Sequence, residues 1–141
     1  MSSAPRVRLK LDSVESRSDD GKISTEVVLS FQGAPIHGRS PLVDAGEHGA
    51  VLRGAALATL DAIETFVERA FYCSLNEVDR VHALGKELVV LLIDMNFEGR
   101  QIQLFGSCRA GDDATQAAAK AALDATNRYI DIVIGQRNRN A

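Results

Sequence analysis

The chain has 141 residues, of which 45% are apolar and 25% charged, and its formal net charge is −3. That length holds one domain, or two small units sharing a core, and the apolar content excludes a disordered polymer. No apolar run nears the ~20 residues that cross a bilayer as a helix, so no membrane partner is expected.

Met1 to Lys10 lacks the apolar stretch of a secretory signal, which predicts a cytoplasmic protein. Cys73 and Cys108 are too few and too far apart for a disulfide framework or a zinc ribbon. A slightly acidic chain with five Phe, two Tyr and no Trp lacks the basic surface and aromatic platform of a nucleic-acid binder. Arg6, Arg8 and Lys10 form one small basic face, and Arg137 with Arg139 another; both read as solvated surface.

From Arg6 to Leu11 the residues alternate, with Val7, Leu9 and Leu11 opposite Arg6, Arg8 and Lys10, as in a strand with one wet face. Ser16 to Lys22 predicts a turn, because Asp20-Gly21 is a strong hairpin signal. The next strand sets Ile23, Thr25, Val27, Leu29 and Phe31 against Ser24, Glu26, Val28 and Ser30. Gln32-Gly33 reverses the chain into a third strand, Ile36 to Ser40, with Pro35 at its start.

A loop from Pro41 to Gly49 leads into a helix predicted over residues 48–72. Its buried stripe is Leu52, Ala56, Leu60, Ile63, Val67 and Ala70. Gly49 and Gly54 each cost about 1 kcal/mol of helix propensity; they suggest a frayed start ahead of the alternative, a close approach of another backbone.

The second half repeats this order. Glu77 to Leu84 is a weak strand, and Leu88 to Ile93 (LVVLLI), continuing towards Phe97, has the unbroken apolar run of a strand covered on both faces. Glu98-Gly99 turns the chain. Ile102, Leu104, Gly106 and Cys108 then alternate with Gln101, Gln103 and Phe105. Asp113, with Gln116 three residues on, starts a last helix whose stripe runs from Ala114 through Ala118, Ala121, Ala122, Ala125 and Tyr129 to Ile132 and Val133. Residues 137–141 read as a frayed polar tail.

Residues 56–63 align without a gap on residues 119–126, five of eight identical at an offset of 63, and Ala45-Gly46-Glu47 is similar to Ala110-Gly111-Asp112. Together with the repeated order of elements, this predicts an α+β fold of two βββα units, residues 6–73 and 76–136, each an antiparallel three-stranded sheet with a long helix. One such unit leaves apolar surface bare, so the units are expected to pair about a pseudo-twofold axis. The LVVLLI strand further predicts a homodimer.

The segment AGDDATQAAAKAALDATNRYI, Ala110 to Ile130, resembles the C-terminal regulatory domain of the 2-isopropylmalate synthase family, an allosteric and dimerisation domain. Gly111, Asp112, Asp113, Ala118, Ala119, Ala121, Leu123, Ala125, Asn127 and Arg128 carry the resemblance, and ELVVLLIDMNFEGRQIQLFGSCR is similar to that domain's second strand set. It implies two βββα units and a helix-start pocket for an amino-acid effector. The departures are clear. The family's catalytic barrel needs ~250 residues and is absent, and His37, His48 and His82 make no HxH metal pair. Residues 40–45 keep Pro-x-x-Asp-Ala but lack the family's glycines.

The expectation is therefore a stand-alone, non-catalytic regulatory or assembly module without a cofactor or metal. It would bind a small amino-acid-like ligand between Asp44, Ala45, Gly46, Gly111, Asp112, Asp113 and Thr115, and a separately encoded enzyme is a candidate partner. Free N–H groups at a helix start can hold a carboxylate, and nearby acids suit an ammonium. The plain alternative for Asp112 and Asp113 is helix capping. A Glu47, His48 and Asp44 metal cluster is weighed against chance loop spacing, and Cys73 and Cys108 read as packing residues. Two other functions stay open: a purely structural dimer or partner-binding scaffold, and a small enzyme with His37 or His48 as base and Asp112 or Asp113 as acid.

Overall fold

The computed structural model describes residues 8–140. The elements run β1 (Lys10–Asp19), β2 (Lys22–Phe31), β3 (Ala34–Arg39), β4 (Val43–Asp44), α1 (Ala50–Phe66), β5 (Phe71–Ala83), β6 (Lys86–Phe97), β7 (Arg100–Arg109) and α2 (Ala114–Asn140). The protein is α+β, with two antiparallel sheets and two helices. One sheet has the order β1-β2-β3, with β4 added beside β2; the other is β5-β6-β7.

One device closes the four hairpins of the described residues. Asp20-Gly21, Gln32-Gly33, Leu84-Gly85 and Glu98-Gly99 each place both residues at positive φ, between 52° and 82°. Such a two-residue turn matches the right-handed strand twist, and glycine at its second position removes the steric cost.

Tight turns also explain the first difference from the sequence reading. Arg6 and Val7 lie outside the described residues, and the strand runs from Lys10 to Asp19, through most of the expected turn. Two residues suffice for the reversal, so Ser16 to Asp19 pair with Thr25 to Lys22 as an exposed polar edge. The expected loop after β3 likewise contains β4. Ser40 N donates to Thr25 O and Ser40 Oγ accepts from Thr25 N, which carries the chain round to pair Val43 with Ile23.

Helix α1 stops at Phe66, six residues short of the expected end. Glu68 and Arg69 adopt left-handed φ of 52° and 60°, and Arg69 N donates to Glu64 O in a Schellman-like reversal. Val67 remains fully buried, which prolongs the helical period in the sequence, whereas Ala70 is exposed and Phe71 belongs to β5. Gly54 is not a sign of fraying. A Cβ there would stand 2.5 Å from Thr25 Oγ1, so glycine allows α1 to lie close on β2.

Strand β5 is longer than its alternation implied. A bulge at Asn76 shifts the inward set from Phe71, Cys73 and Leu75 to Val78, breaking the period of two. In β6, Val89, Leu91, Ile93 and Met95 face the core and are buried, but Leu88, Val90 and Leu92 on the other face are only half-buried. Cover on both faces is thus not found among the described residues.

Helix α1 packs on β2 and β3, α2 on β6 and β7, and the helices pack on each other; each also reaches the first strand of the other unit. Close approach depends on glycine in both units. A Cβ at Gly38 of β3 would overlap the Ala58 carbonyl oxygen and lie 2.7 Å from Ala62 Cβ. A Cβ at Gly106 of β7 would overlap the Ala121 carbonyl oxygen and lie 2.8 Å from Ala125 Cβ. The next residue repeats the relation: Arg39 N donates to Asp61 Oδ2 (2.9 Å) and Ser107 N to Asp124 Oδ2 (3.1 Å). The helix partners are 63 positions apart in every case. The bulge residues correspond as well, with Ser30 Oγ donating to Asp12 Oδ1 and Asn76 Nδ2 to Asp94 Oδ2. The match is loose elsewhere, since β4 has no counterpart and the β6–β7 hairpin has ten residue pairs against six in β2–β3.

The C-terminal segment is helical rather than frayed. Arg137 donates to the Phe66 and Val67 carbonyls, where α1 ends, and sits 3.6 Å from Glu68 Oε2. A cation at a helix C-terminus meets the negative end of its dipole and two carbonyls that lack helical partners.

Candidate functional site

The two helix starts are built differently. Before α1, Asp44 Oδ1 accepts from Gly46 N, Ala45 N donates to Gly21 O, and Gly49 occupies the N-cap position at φ 69°. Among the described residues no side chain caps α1. Before α2, Asp113 Oδ1 accepts from Thr115 N (3.0 Å) and Gln116 N (3.1 Å). Those two N–H groups are committed to Asp113 and are not offered to a ligand carboxylate, in agreement with the capping alternative.

A cleft of about 460 Å³ opens over the α1 start. Its walls are Ala45 and the chain from Glu47 to Leu52, with Asp79 and Arg80 of β5 and Thr115 of α2. The fold thereby brings together Ala45 and Thr115, one from each repeat loop. Gly111, Asp112 and Asp113 line a separate hollow of about 260 Å³ with Arg109 and Lys120. Asp44 and Gly46 line neither; they shape the loop, and Lys22 Nζ stands 4.0 Å from Asp44.

Asp79 and Arg80 were not among the expected site residues. His48 Nε2 and Asp79 Oδ1 are 3.3 Å apart, Arg80 N donates to the same oxygen, and Arg80 Nη1 is 3.3 Å from Glu87 Oε1. His48 is largely exposed and Asp79 about half so, and an ion pair of this type is worth under about 1 kcal/mol. Their value is positional. No local pattern in the sequence marks Asp79, since its partner His48 is 31 positions away.

The acid–base pair of the small-enzyme alternative does not assemble in one hollow. His48 lines the first and Asp112 and Asp113 the second, while His37 sits opposite Val28 on β3. Among the described residues no three His, Cys, Asp or Glu side chains converge on a metal position. Nor is any helix among them long and apolar enough to cross a membrane. No protein-family model matches the chain, and no curated protein does.

Two partly buried titratable groups, Glu64 and Cys73, lie outside both hollows. Glu64 Oε1 accepts from Cys73 N (2.7 Å) and so ties the end of α1 to the start of β5. Burial raises the Glu64 carboxyl above its ordinary 4.5, opposed by that hydrogen bond and by Arg69. Burial, with the Glu64 charge beside it, pushes the Cys73 thiol up to about 12, so this cysteine is an inert packing residue at neutral pH.

The linkage for Glu64 has a definite sign. Its folded pKa lies above the unfolded one, so its contribution to stability is full below about pH 4.5 and is lost as pH rises through the raised value. Glu64→Gln keeps an oxygen for Cys73 N without the buried charge. Urea unfolding of this variant should match or exceed the parent in stability at pH 7, with a flatter dependence between pH 4 and 7. Glu64→Leu strands the Cys73 N–H and should cost about 1–3 kcal/mol. A Gln variant as unstable as the Leu variant would refute the assignment.

Proposed function

We propose that the protein is a non-catalytic module that binds a small amino-acid-like molecule in the cleft over the α1 start. The observation that carries this reading is the convergence there of an uncapped helix start with both signs of side-chain charge: Glu47 and Asp79 against Arg80. A helix N-terminus attracts a carboxylate, and the two acids suit an ammonium. The volume falls within the ~300–1,000 Å³ of small-molecule sites.

The same reading takes the chain as a duplicated βββα unit, supported by the two glycine–helix contacts and the paired aspartates. It also takes the chain as a stand-alone relative of the isopropylmalate synthase regulatory domain, supported by the Gly111 to Arg128 resemblance. A separately encoded enzyme is then the partner it would regulate or assemble.

The test is thermal unfolding against the twenty amino acids and the branched-chain 2-oxo and hydroxy acids. Ligand at 100 times its dissociation constant adds about 2.7 kcal/mol, a rise of roughly 8 °C for a chain of this size. A rise confined to a few zwitterionic ligands, lost in Asp79→Asn or Arg80→Ala, is expected. If no compound shifts the transition, the binding reading fails.

A further inference from the structure

The outward face of the β5–β6–β7 sheet is apolar where the other sheet is polar. Leu88, Val90 and Leu92 of β6 form its centre, flanked by Val81 of β5 and Phe105 of β7. Val81 is 40% exposed and Phe105 69%. A hollow of about 230 Å³ lies among Val81, Val90, Leu92, Phe105, Glu77 and Asp79.

The first sheet is the internal comparison. The bulges at Asp12 and Asn76 and the contacts of Gly38 and Gly106 set the two sheets in correspondence. Leu88, Val90 and Leu92 then stand where the first sheet has Ser24, Glu26 and Val28. Val81 stands at Arg17, and Phe105 stands at His37. On that first face Arg39 and Glu26 form an ion pair (3.0 Å) in open solvent. One fold thus carries four of these five positions polar in one unit, Val28 being the exception, and all five apolar in the other. The fold itself therefore does not require this apolar set, and water disfavours it.

Charge on the flanks identifies the occupant. Glu77 and Asp79 lie on the β5 side, whereas Arg109 lies on the β7 side, paired with Leu88. A twofold axis parallel to β6 lays β5 of one copy over β7 of another at the same level along the strands. It stacks the apolar centre on itself and brings Arg109 of each copy towards Asp79 of the other. The same axis brings Asp94, which follows Leu92 on this face, towards its own copy; an axis across the strands would instead set Asp79 over Asp79 and leave Arg109 without an acid. We propose that this face docks onto the same face of a second copy, through an isologous interface about the axis parallel to β6.

Sedimentation analysis over a concentration series, without added ligand, tests this. The parent protein is expected to show a monomer–dimer equilibrium, and Phe105→Glu should weaken it about thirty-fold or more. Phe105 is exposed, and an unchanged circular dichroism spectrum and melting of the monomer would show that the variant folds. Arg109→Asp and Asp79→Arg should each weaken the dimer, and the double variant should recover most of the loss. A parent monomeric at every concentration, a dimer indifferent to Phe105→Glu, or a double variant no tighter than either single one would each overturn the proposal. Because no ligand is present, failure here leaves the cleft reading standing, and the thermal-shift result leaves this one standing.

Discussion

Gly106→Ala is expected to lower the unfolding free energy by about 3 kcal/mol or more, and Gly38→Ala by a similar amount. One added methyl group ordinarily has little effect on a strand, and alanine even stabilises through the unfolded state by several tenths of a kcal/mol. Here the new Cβ falls inside a backbone carbonyl, Ala121 O or Ala58 O, and close to the methyl of Ala125 or Ala62. A carbonyl inside a helix cannot rotate away without breaking its own hydrogen bond. The helix must therefore lift from the sheet, opening contacts along the alanine stripe.

Gly135→Ala in α2 provides the control. Its Cβ would meet only the tip of Arg139 at 4.0 Å, so this change should stabilise by up to about 1 kcal/mol through helix propensity. Denaturant unfolding of the three variants decides the matter. Losses under 1 kcal/mol at Gly38 and Gly106 would mean that helix and strand are not in the close contact described.

Ile93→Ala is expected to cost about 2–5 kcal/mol, against a small fraction of that for Leu92→Ala, although the two residues are neighbours in the LVVLLI run. Ile93 is fully buried between the β6 strand and the helices, and its loss leaves a cavity lined by residues that cannot all move in. Leu92 faces outward beside Phe105, already half in water. Both should be measured by urea unfolding at low protein concentration. Equal costs at the two positions would show that the outer face is covered in the monomer after all.

That pair of residues also marks where reading from the sequence stops. An unbroken apolar run identifies a strand, but the period of two assigns alternate faces only when one face is polar. In β2 the contrast of Val27 and Leu29 with Glu26 and Ser30 was enough to place the core face. In β6 nothing local distinguishes Ile93 from Leu92, and the helices decide which is covered. The end of α1 was hidden for a similar reason. Val67 and Phe71 are both buried, so the apolar spacing runs on across the left-handed reversal at Glu68 and Arg69.

The candidate site was legible in part. Ala45 and Thr115, chosen because each lies near a helix start, line one cleft, while Gly111, Asp112 and Asp113 line another. Asp113 was legible as a cap because its partners are two and three residues away. Asp79 and Arg80 were not, because they enter the cleft from a strand whose bulge disguises its register.

By itself the sequence determined the α+β class, the turns at Asp20-Gly21, Gln32-Gly33 and Glu98-Gly99, the Asp113 cap and the matched LDA segments of the two helices. Each of these depends on forces acting between residues a few positions apart: positive φ at glycine, a side-chain oxygen on a nearby N–H, a helical stripe. The tertiary structure alone decided why Gly38, Gly54 and Gly106 must be glycine, which half of the LVVLLI run faces the core, and which residues meet over α1. Those outcomes follow from volume exclusion and burial between segments far apart in the chain, which no local pattern encodes.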